Sequence, residues 1–402
     1  MQLHLSTPNS LRQRRLRRGR RYDVGFYAPS LAWRLAGVAD TGGAETQVML
    51  LTRALSERGI GVCTVVFAVP GIDIPASDHG VDVLTRPPYF GGRNVAGQLR
   101  EAAALRSAVR RIDANVVVTR CAGFWVGLVG LWTKLSRRRF IYSSASLLDF
   151  KDDSGLRRRS ERLVFRLGIA LADEIVVQTD EQVQLCETRF GKTPTLIRSI
   201  AEPAEPSEGP GEAFLWTGRI EANKRPLEFV ELARRLPDAR FWMIAPKPKR
   251  ADSLPLWEAI QDAALTLPNF DLLAPRPRLE LMEMLTRTVA VVSTSEFEGM
   301  PNIFLEGWSR GIPSLALNHD PDGVISRLGL GGFARGERER LVELARTLWD
   351  SRAAGAARLE YNNRCRAYIE DEHSPATVGA RWEQALGLSE DALATASVIG
   401  SD

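Results

Sequence analysis

Residues 201–218 read AEPAEPSEGPGEAFLWTG. The first thirteen crowd Pro, Gly and Glu together, the composition of a linker. The last five, FLWTG, are an apolar run that reads as a strand. Downstream, helices are expected at about Arg225–Leu236, near 254–266, near 278–286 and at 302–310. Between them lie the strand-like runs RFWMIA (240–245), FDLLA (270–274), VAVVSTS (289–295) and PSLALN (313–318), and the stretch from Glu337 to Leu386 reads as helix broken at Pro375. Upstream the same alternation has already run once. YDVGFYA (22–28), VCTVVFAV (62–69), VDVL (81–84), NVVVT (115–119), FIYSS (140–144) and EIVVQT (174–179) read as strands. They alternate with helices at 42–59, about Val95–Arg111, Phe124–Leu135, Leu156–Leu171 and from an Asp180 cap to Phe190. Such alternation implies parallel sheets covered on both faces. Two series joined by a Pro/Gly linker imply an α/β protein of two doubly wound domains facing a cleft, with ligands beyond the carboxyl ends of the strands.

The composition agrees. A chain of 402 residues exceeds one ordinary core, and 44% hydrophobic with 25% charged residues is the balance of a soluble enzyme. Four scattered cysteines (Cys63, Cys121, Cys186, Cys365), without C-x-x-C or a nearby metal-spaced His, argue against a disulfide framework and a structural zinc. The most apolar run, CAGFWVGLVGLWTKL (121–135), is too short to span a bilayer and contains three glycines, so it reads as a buried helix on a sheet. Residues 1–200 carry 30 Lys+Arg against 18 Asp+Glu, and the remainder 23 against 31. Seven of those arginines fall in LRQRRLRRGRR (11–21), which is either a solvated arm or a device for touching anionic lipid. It has no interleaved aromatics, so nucleic acid is not expected as a partner. Arg157–Arg159 and Arg137–Arg139 read as solvated faces or as a basic patch beside apolar side chains.

Three places carry chemistry. In STSEFEGMPNIFLEGWSRG (293–311), Glu298 falls in a loop after a strand and Glu306 in the first turns of the next helix. A helix N-terminus suits phosphate or sugar hydroxyls, and carboxylates there accept strong charge-assisted hydrogen bonds from them. In TGRIEANK (217–224), Arg219 and Lys224 follow the first strand of the second domain. Two cations so placed stabilise a leaving diphosphate more in the transition state than in the ground state. At Gly42-Gly43-Ala44-Glu45, glycines at a loop-to-helix junction let a ligand approach the backbone.

Glu298-x7-Glu306, set in E-G-M-P-N-x-F-L-E-G, resembles the signature of the retaining glycosyltransferases with the GT-B fold, glycosyltransferase family 4 (glycosyl transferases group 1) in particular. G-R-x4-K at 218–224, G-G-x-E at 42–45, VVQTDEQ (176–182), RFG (189–191) and the DPDG turn (320–323) extend the resemblance over about Tyr22–Leu386. It implies two Rossmann-like domains: an acceptor domain at 22–200 behind a basic arm at 1–21, a linker at 201–213 and a donor-binding domain at 214–372. A C-terminal helix at 373–390 would cross back to the first domain, and 391–402 would be a tail. The implied reaction moves a hexosyl group from a nucleotide-diphosphate sugar to an acceptor with retention. The acceptor would be a glycan, lipid-linked or an exopolysaccharide precursor. Glu298, Arg219 and Lys224 would be catalytic. Gly43, Gly299, Met300, Pro301, Asn302 and Glu306 would complete the donor site, with Glu298 on the sugar, Glu306 on ribose and Gly43 near the phosphates.

One departure stands out. Many relatives place a His after a strand of the first domain, where this chain has Tyr142-Ser143-Ser144-Ala145-Ser146. Either a serine hydroxyl on the acceptor side (Ser144 or Ser146) or the backbone substitutes for it, or the acceptor chemistry differs and these serines merely end a strand. Asp320-Pro321-Asp322 forms a D-x-D, but with Gly323 it reads as a turn and helix cap, so neither a metal nor any other cofactor is expected. The expected location is the cytoplasm, with peripheral contact at the inner face of an anionic membrane. The alternatives are a silent nucleotide-sugar-binding partner in glycan assembly, or an epimerase or hydrolase of the same fold.

Overall fold

The computed structural model describes residues 20–38, 42–88, 95–151, 156 and 158–388. The chain divides into two compact units, Met1–Ile200 with Pro375–Asp402, and Ala201–Ser374.

In the first unit the chain runs β1 (Tyr22–Tyr27), α1 (Leu31–Leu35), α2 (Gly43–Glu57), β2 (Val62–Phe67), β3 (Ser77–Asp78), β4 (Val81–Arg86) and α3 (Val95–Ile112). It continues through β5 (Ala114–Arg120), α4 (Phe124–Leu135), β6 (Arg139–Ser143), α5 (Arg159–Leu171), β7 (Glu174–Val177), α6 (Asp180–Phe190) and β8 (Thr195–Leu196). The sheet order is β3-β4-β2-β1-β5-β6-β7-β8, parallel except at β3–β4. Side chains alternate across it, as the pleat requires. Val24, Phe26, Val116 and Val118 join Leu51 and Leu55 of α2 and Trp382 of the C-terminal helix Pro375–Ala385. Tyr27, Val117, Phe140 and Tyr142 join Leu105, Val129 and Phe165 of α3, α4 and α5. Each such apolar side chain contributes at most about 1.5–3 kcal/mol by leaving water.

Helices α4 and α5 meet backbone to backbone. A Cβ at Gly127 would lie 2.0 Å from the Val164 carbonyl oxygen, and one at Gly168 would lie 2.7 Å from the Gly127 nitrogen. This corrects the reading of α4 as a buried helix. The sides toward the sheet and toward α5 are covered, whereas on the remaining side, among the described residues, Leu128 and Leu131 are half-buried and Leu135 is exposed.

The second unit runs β9 (Ala213–Thr217), α7 (Pro226–Arg235), β10 (Phe241–Ile244), α8 (Leu254–Thr266), β11 (Phe270–Leu273), α9 (Arg278–Thr286) and β12 (Thr288–Ser293). After it come α10 (Asn302–Ser309), β13 (Ser314–Ala316), α11 (Val324–Leu328), β14 (Gly331–Phe333), α12 (Arg338–Ser351) and α13 (Gly355–Tyr368). The strand order is β11-β10-β9-β12-β13-β14. One face packs Phe214, Phe241 and Phe270 under α7 and α8; the other packs Leu215 and Val291 under Phe304 and Trp308 of α10.

Three local readings need correction. The Pro-rich stretch 201–213 lies against the second unit, with Ala201 and Ser207 buried. Its backbone pairs outside itself, Ser207 N–H donating to the Arg310 carbonyl (2.9 Å) and Glu212 N–H to that of Arg287 (2.7 Å). The C-terminal helical stretch breaks at Arg352–Ala354 as well as before Pro375, with Gly355 opening the next helix. The cap of α6 is Thr179, whose hydroxyl accepts from Gln182 N–H at 3.2 Å, rather than Asp180.

Residues 1–19 of the basic arm and the tail from 389 lie outside the described residues. Arg20 and Arg21 are described, and pair with Asp113 (2.9 Å) and Asp82 (3.2 Å). No helix among the described residues is long and apolar enough to cross a membrane. Cys63, Cys186 and Cys365 are buried and Cys121 is partly covered; burial pushes the Cys186 thiol up to about 11 and that of Cys121 to about 12.

Candidate functional site

In the second sheet the strand order reverses between β9 and β12, and in open α/β sheets ligands bind beyond the carboxyl ends of the strands at such a point. The loop after β9 ends in a short turn, Ala222–Lys224, and the loop after β12 holds Glu298. The two loops are joined through their backbones. Glu296 N–H donates to the Asn223 carbonyl (2.9 Å), and Thr294 Oγ1 donates to that of Lys224 (2.6 Å). Thr294 Oγ1 in turn accepts from the Trp216 indole at 3.1 Å. Arg225, next in the chain, sits at φ +46°, a left-handed conformation that costs a non-glycine residue on the order of 1 kcal/mol or more. Its guanidinium binds Glu228 (2.9 Å), which also takes both prongs of Arg338 (2.6 Å each).

Lys224, held by that scaffold, forms an ion pair with Glu298, and Ser295 Oγ donates to the same carboxylate oxygen at 2.8 Å. Both side chains are largely covered. Arg219, expected beside Lys224, behaves differently. Its side chain is 69% exposed and its partner is Glu221, 3.3 Å away. Glu306 projects from α10 and binds Arg278 Nη1 at 2.5 Å, while Arg278 Nη2 holds Glu202. Arg310 Nη1 closes on the Glu306 carbonyl at 2.9 Å. Burial works against the charge of Arg278, but the carboxylates of Glu306 and Glu202 outweigh it and hold its pKa above the usual value. Nothing in the local sequence marks Arg278, because its role depends on a partner twenty-eight positions away.

Of the residues between the two glutamates, Gly299, Pro301 and Asn302 are half-buried, and Met300 is buried in the core under α10. Pro301 is the N-cap of that helix and supplies no side-chain cap. Asp320 takes no part. Its carboxylate accepts from Ile325 N–H (2.8 Å) and from the amide and hydroxyl of Ser326 (3.0 and 2.7 Å), capping α11.

The expected first-unit residues do not converge on one group. Gly43 is exposed as the first residue of α2, after an N-cap Gly42 without a side-chain cap. Ser144 is buried, its hydroxyl 3.3 Å from the Ser146 carbonyl, and Ser146 Oγ caps the turn Leu147–Phe150 by accepting from Leu148 N–H at 3.2 Å. Both hydroxyls thus build a turn whose hub is Asp149, a residue the sequence did not single out. Asp149 accepts from the Tyr142 hydroxyl (2.9 Å) and from the amides of Ala145 (2.8 Å) and Ser146 (3.4 Å). Burial raises its pKa despite those bonds.

Comparison with known proteins places this architecture. Residues 42–198 match the family described as glycosyl transferase 4-like domain. Among solved structures, sucrose-phosphate synthase from Thermosynechococcus elongatus is similar with a TM-score of 0.70 and 14% identity, over 91% of this chain and 98% of that one. HepE from Anabaena, in complex with UDP and glucose, gives 0.69 and 16% over 91% and 99%. TarM from S. aureus, with UDP and α-GlcNAc-glycerol, gives 0.71 and 11% over 91% and 99%. No curated protein matches the chain by sequence. The fold is α/β with two Rossmann-like units, the fold of the GT-B glycosyltransferases.

Proposed function

We propose that this chain is a retaining glycosyltransferase that moves a hexosyl group from a nucleotide-diphosphate sugar to a glycan or lipid-linked acceptor. The observation that carries the proposal is the Lys224–Glu298 pair, at the strand-order reversal of the second unit, on loops tied by the Glu296–Asn223 backbone bond and the Thr294 hydroxyl. As the bond from the sugar to the diphosphate breaks, its electron pair stays on the phosphate oxygen, and charge accumulates beside a lysine already in place. An ammonium has three donors, so Lys224 keeps Glu298 while reaching a phosphate. Arg219 gives up little to join it, since an exposed pair such as that with Glu221 is worth about 0–1 kcal/mol. Glu298 accepts from sugar hydroxyls, Glu306 from ribose, and the amides around Gly299–Asn302 face the sugar.

Thermal unfolding with UDP, GDP and ADP tests this, in wild type and in Arg219→Ala, a variant at an exposed position that leaves packing intact. Ligand at a hundred times its dissociation constant adds about 2.7 kcal/mol. The expected result is stabilisation by one nucleotide, weakened in the variant; UDP is the first choice because HepE and TarM were solved with it. No stabilisation by any nucleotide overturns the reading. Donor breakdown that needs no acceptor would replace transfer with hydrolysis or epimerisation.

The acceptor, in this reading, is presented at an anionic lipid surface. Phe124, Leu128, Leu131 and Leu135 share the outward stripe of α4, at helical spacing and half-buried or exposed. On α5, Leu163 and Leu167 are exposed on the same face as Arg159 and Arg166. Basic residues beside apolar ones suit such a surface at about 1 kcal/mol per basic side chain. Co-sedimentation with phosphatidylglycerol vesicles but not phosphatidylcholine vesicles is expected, several-fold weaker in Leu163→Ser/Leu167→Ser. Equal binding to both vesicle types sinks this part.

A further inference from the structure

The first sheet reverses its strand order between β1 and β5, and β5 ends in Arg120. By strand alternation Arg120 continues the row of Val116 and Val118, so it points to the face covered by α2 and the C-terminal helix. There it lines a small recess, open at its mouth, with Gln47, Ser143, Gln178, Arg198 and Ser199 as polar neighbours.

The neighbours are already engaged. Gln47 bonds both the carbonyl and the amide of Ile200 at 2.8 Å. Gln178 donates to the Ser144 carbonyl and accepts from Ser199 Oγ, each at 2.5 Å. Arg198 is neutralised by Asp180 at 2.9 Å. Arg120 differs. Nη1 donates to Ser143 Oγ at 3.0 Å, its buried Nε has no partner, and no carboxylate of the described residues lies within ion-pair distance of it. Glu45 and Asp149 act on it only through space, and Asp149 has its own donors. Burial lowers the Arg120 pKa, yet a guanidinium remains protonated throughout the physiological range. A covered charge without a counter-charge is costly to keep. A ligand that brings the counter-charge recovers that cost.

We infer that this recess binds an oxyanion, a phosphate or carboxylate carried by the acceptor, with Arg120 as its principal ligand. Assigning the anion to the acceptor rests on the transferase reading; the existence of the anion site does not. Arg120 is then a positioning residue. It orients an anionic acceptor from the first unit and moves no proton itself.

The test is calorimetric titration of the full chain with inorganic phosphate and, separately, with acetate. It is made in the Lys224→Ala background, so that the donor site does not answer for the recess. Arg120→Gln is expected to weaken phosphate binding at least about tenfold, as for loss of a charge-assisted contact, and Arg120→Lys to retain part of it. Preference between phosphate and acetate names the acceptor's anion. Phosphate binding that is equal with and without Arg120, or that vanishes in Lys224→Ala alone, overturns the inference. UDP binding, measured with Lys224 intact, separates the two claims. Arg120-dependent phosphate binding without any UDP binding leaves the anion site standing and removes the transferase. Once an acceptor is in hand, Arg120→Gln raises its KM several-fold and leaves the KM for donor unchanged; a fall in kcat alone contradicts a positioning role.

Discussion

Each unit places a cation beside the point where its strand order reverses, and the two treat it differently. Lys224 is paired with Glu298 on loops joined by backbone hydrogen bonds. Arg120 sits at the end of β5 with one hydroxyl for company and an unpartnered Nε. Part of the contrast is chemical: Lys is a compact point charge that changes partner readily, whereas Arg is a planar fork that matches an oxyanion. The rest is positional. A group that must meet charge only as it develops is best held in place beforehand, with its own charge balanced until then. A group that must recognise a charge already present on its ligand can be left unbalanced, and the imbalance itself selects the ligand. Under the proposed function, the second unit serves the reaction and the first serves recognition.

That contrast breaks most visibly in turnover. Lys224→Ala and Glu298→Gln are each expected to lower kcat at least about tenfold, since a lost charge-assisted contact is about 1.5–3 kcal/mol. The double variant should fall short of the product of the two, because the groups act as a unit. Fully multiplicative losses in steady-state kinetics would show two independent residues and remove the paired half of the comparison. Arg120→Gln, by contrast, should act on the acceptor's KM, a smaller and differently placed effect.

The smallest difference is one of pH. A hydrogen bond from Arg338, with the charge of Arg225 behind it, holds the Glu228 carboxyl below its usual range, whereas burial pushes Asp149 above it. A lowered carboxyl gives stability that is complete above its unfolded pKa and is lost as pH falls through the folded value. A raised one has the opposite sign: its ionised form is disfavoured in the fold, so acid relieves it. Glu228→Gln should therefore lower the melting temperature by a few degrees at about pH 7, and the gap to wild type should hold down to about pH 4.3 and narrow only as pH falls further. A gap that stays constant over that interval would mean that Glu228 acts by shape rather than charge.

How much of this was legible follows from what each feature depends on. The ends of α8 and α9 fall where periodicity puts them, at 254–266 and 278–286, because helical spacing of apolar residues is local information. β3, β8 and β14 were missed; with two or three residues each, they exist only because a neighbouring strand supplies hydrogen bonds. The stretch 201–213 was legible as irregular but not as packed, since Arg310 and Arg287 complete its backbone bonds from far along the chain. In the site, Lys224 and Glu298 stood out because each belongs to a spaced motif. Arg278, Asp149 and Arg120 did not, for no spacing distinguishes a partly covered arginine, or the one buried aspartate of a turn, from the many solvated charges.

The state of the four thiols has a practical consequence. A thiol with a pKa near 11 or 12 is thiolate at no more than about one part in ten thousand at neutral pH, and alkylating reagents attack the thiolate. Cys63 and Cys365 are pushed at least as far by burial. The folded chain is thus nearly silent toward maleimides without removal of any native cysteine. A single cysteine introduced at Leu163, on the exposed side of α5, would be the one fast-labelling position, and a fluorophore there would report arrival at a vesicle directly.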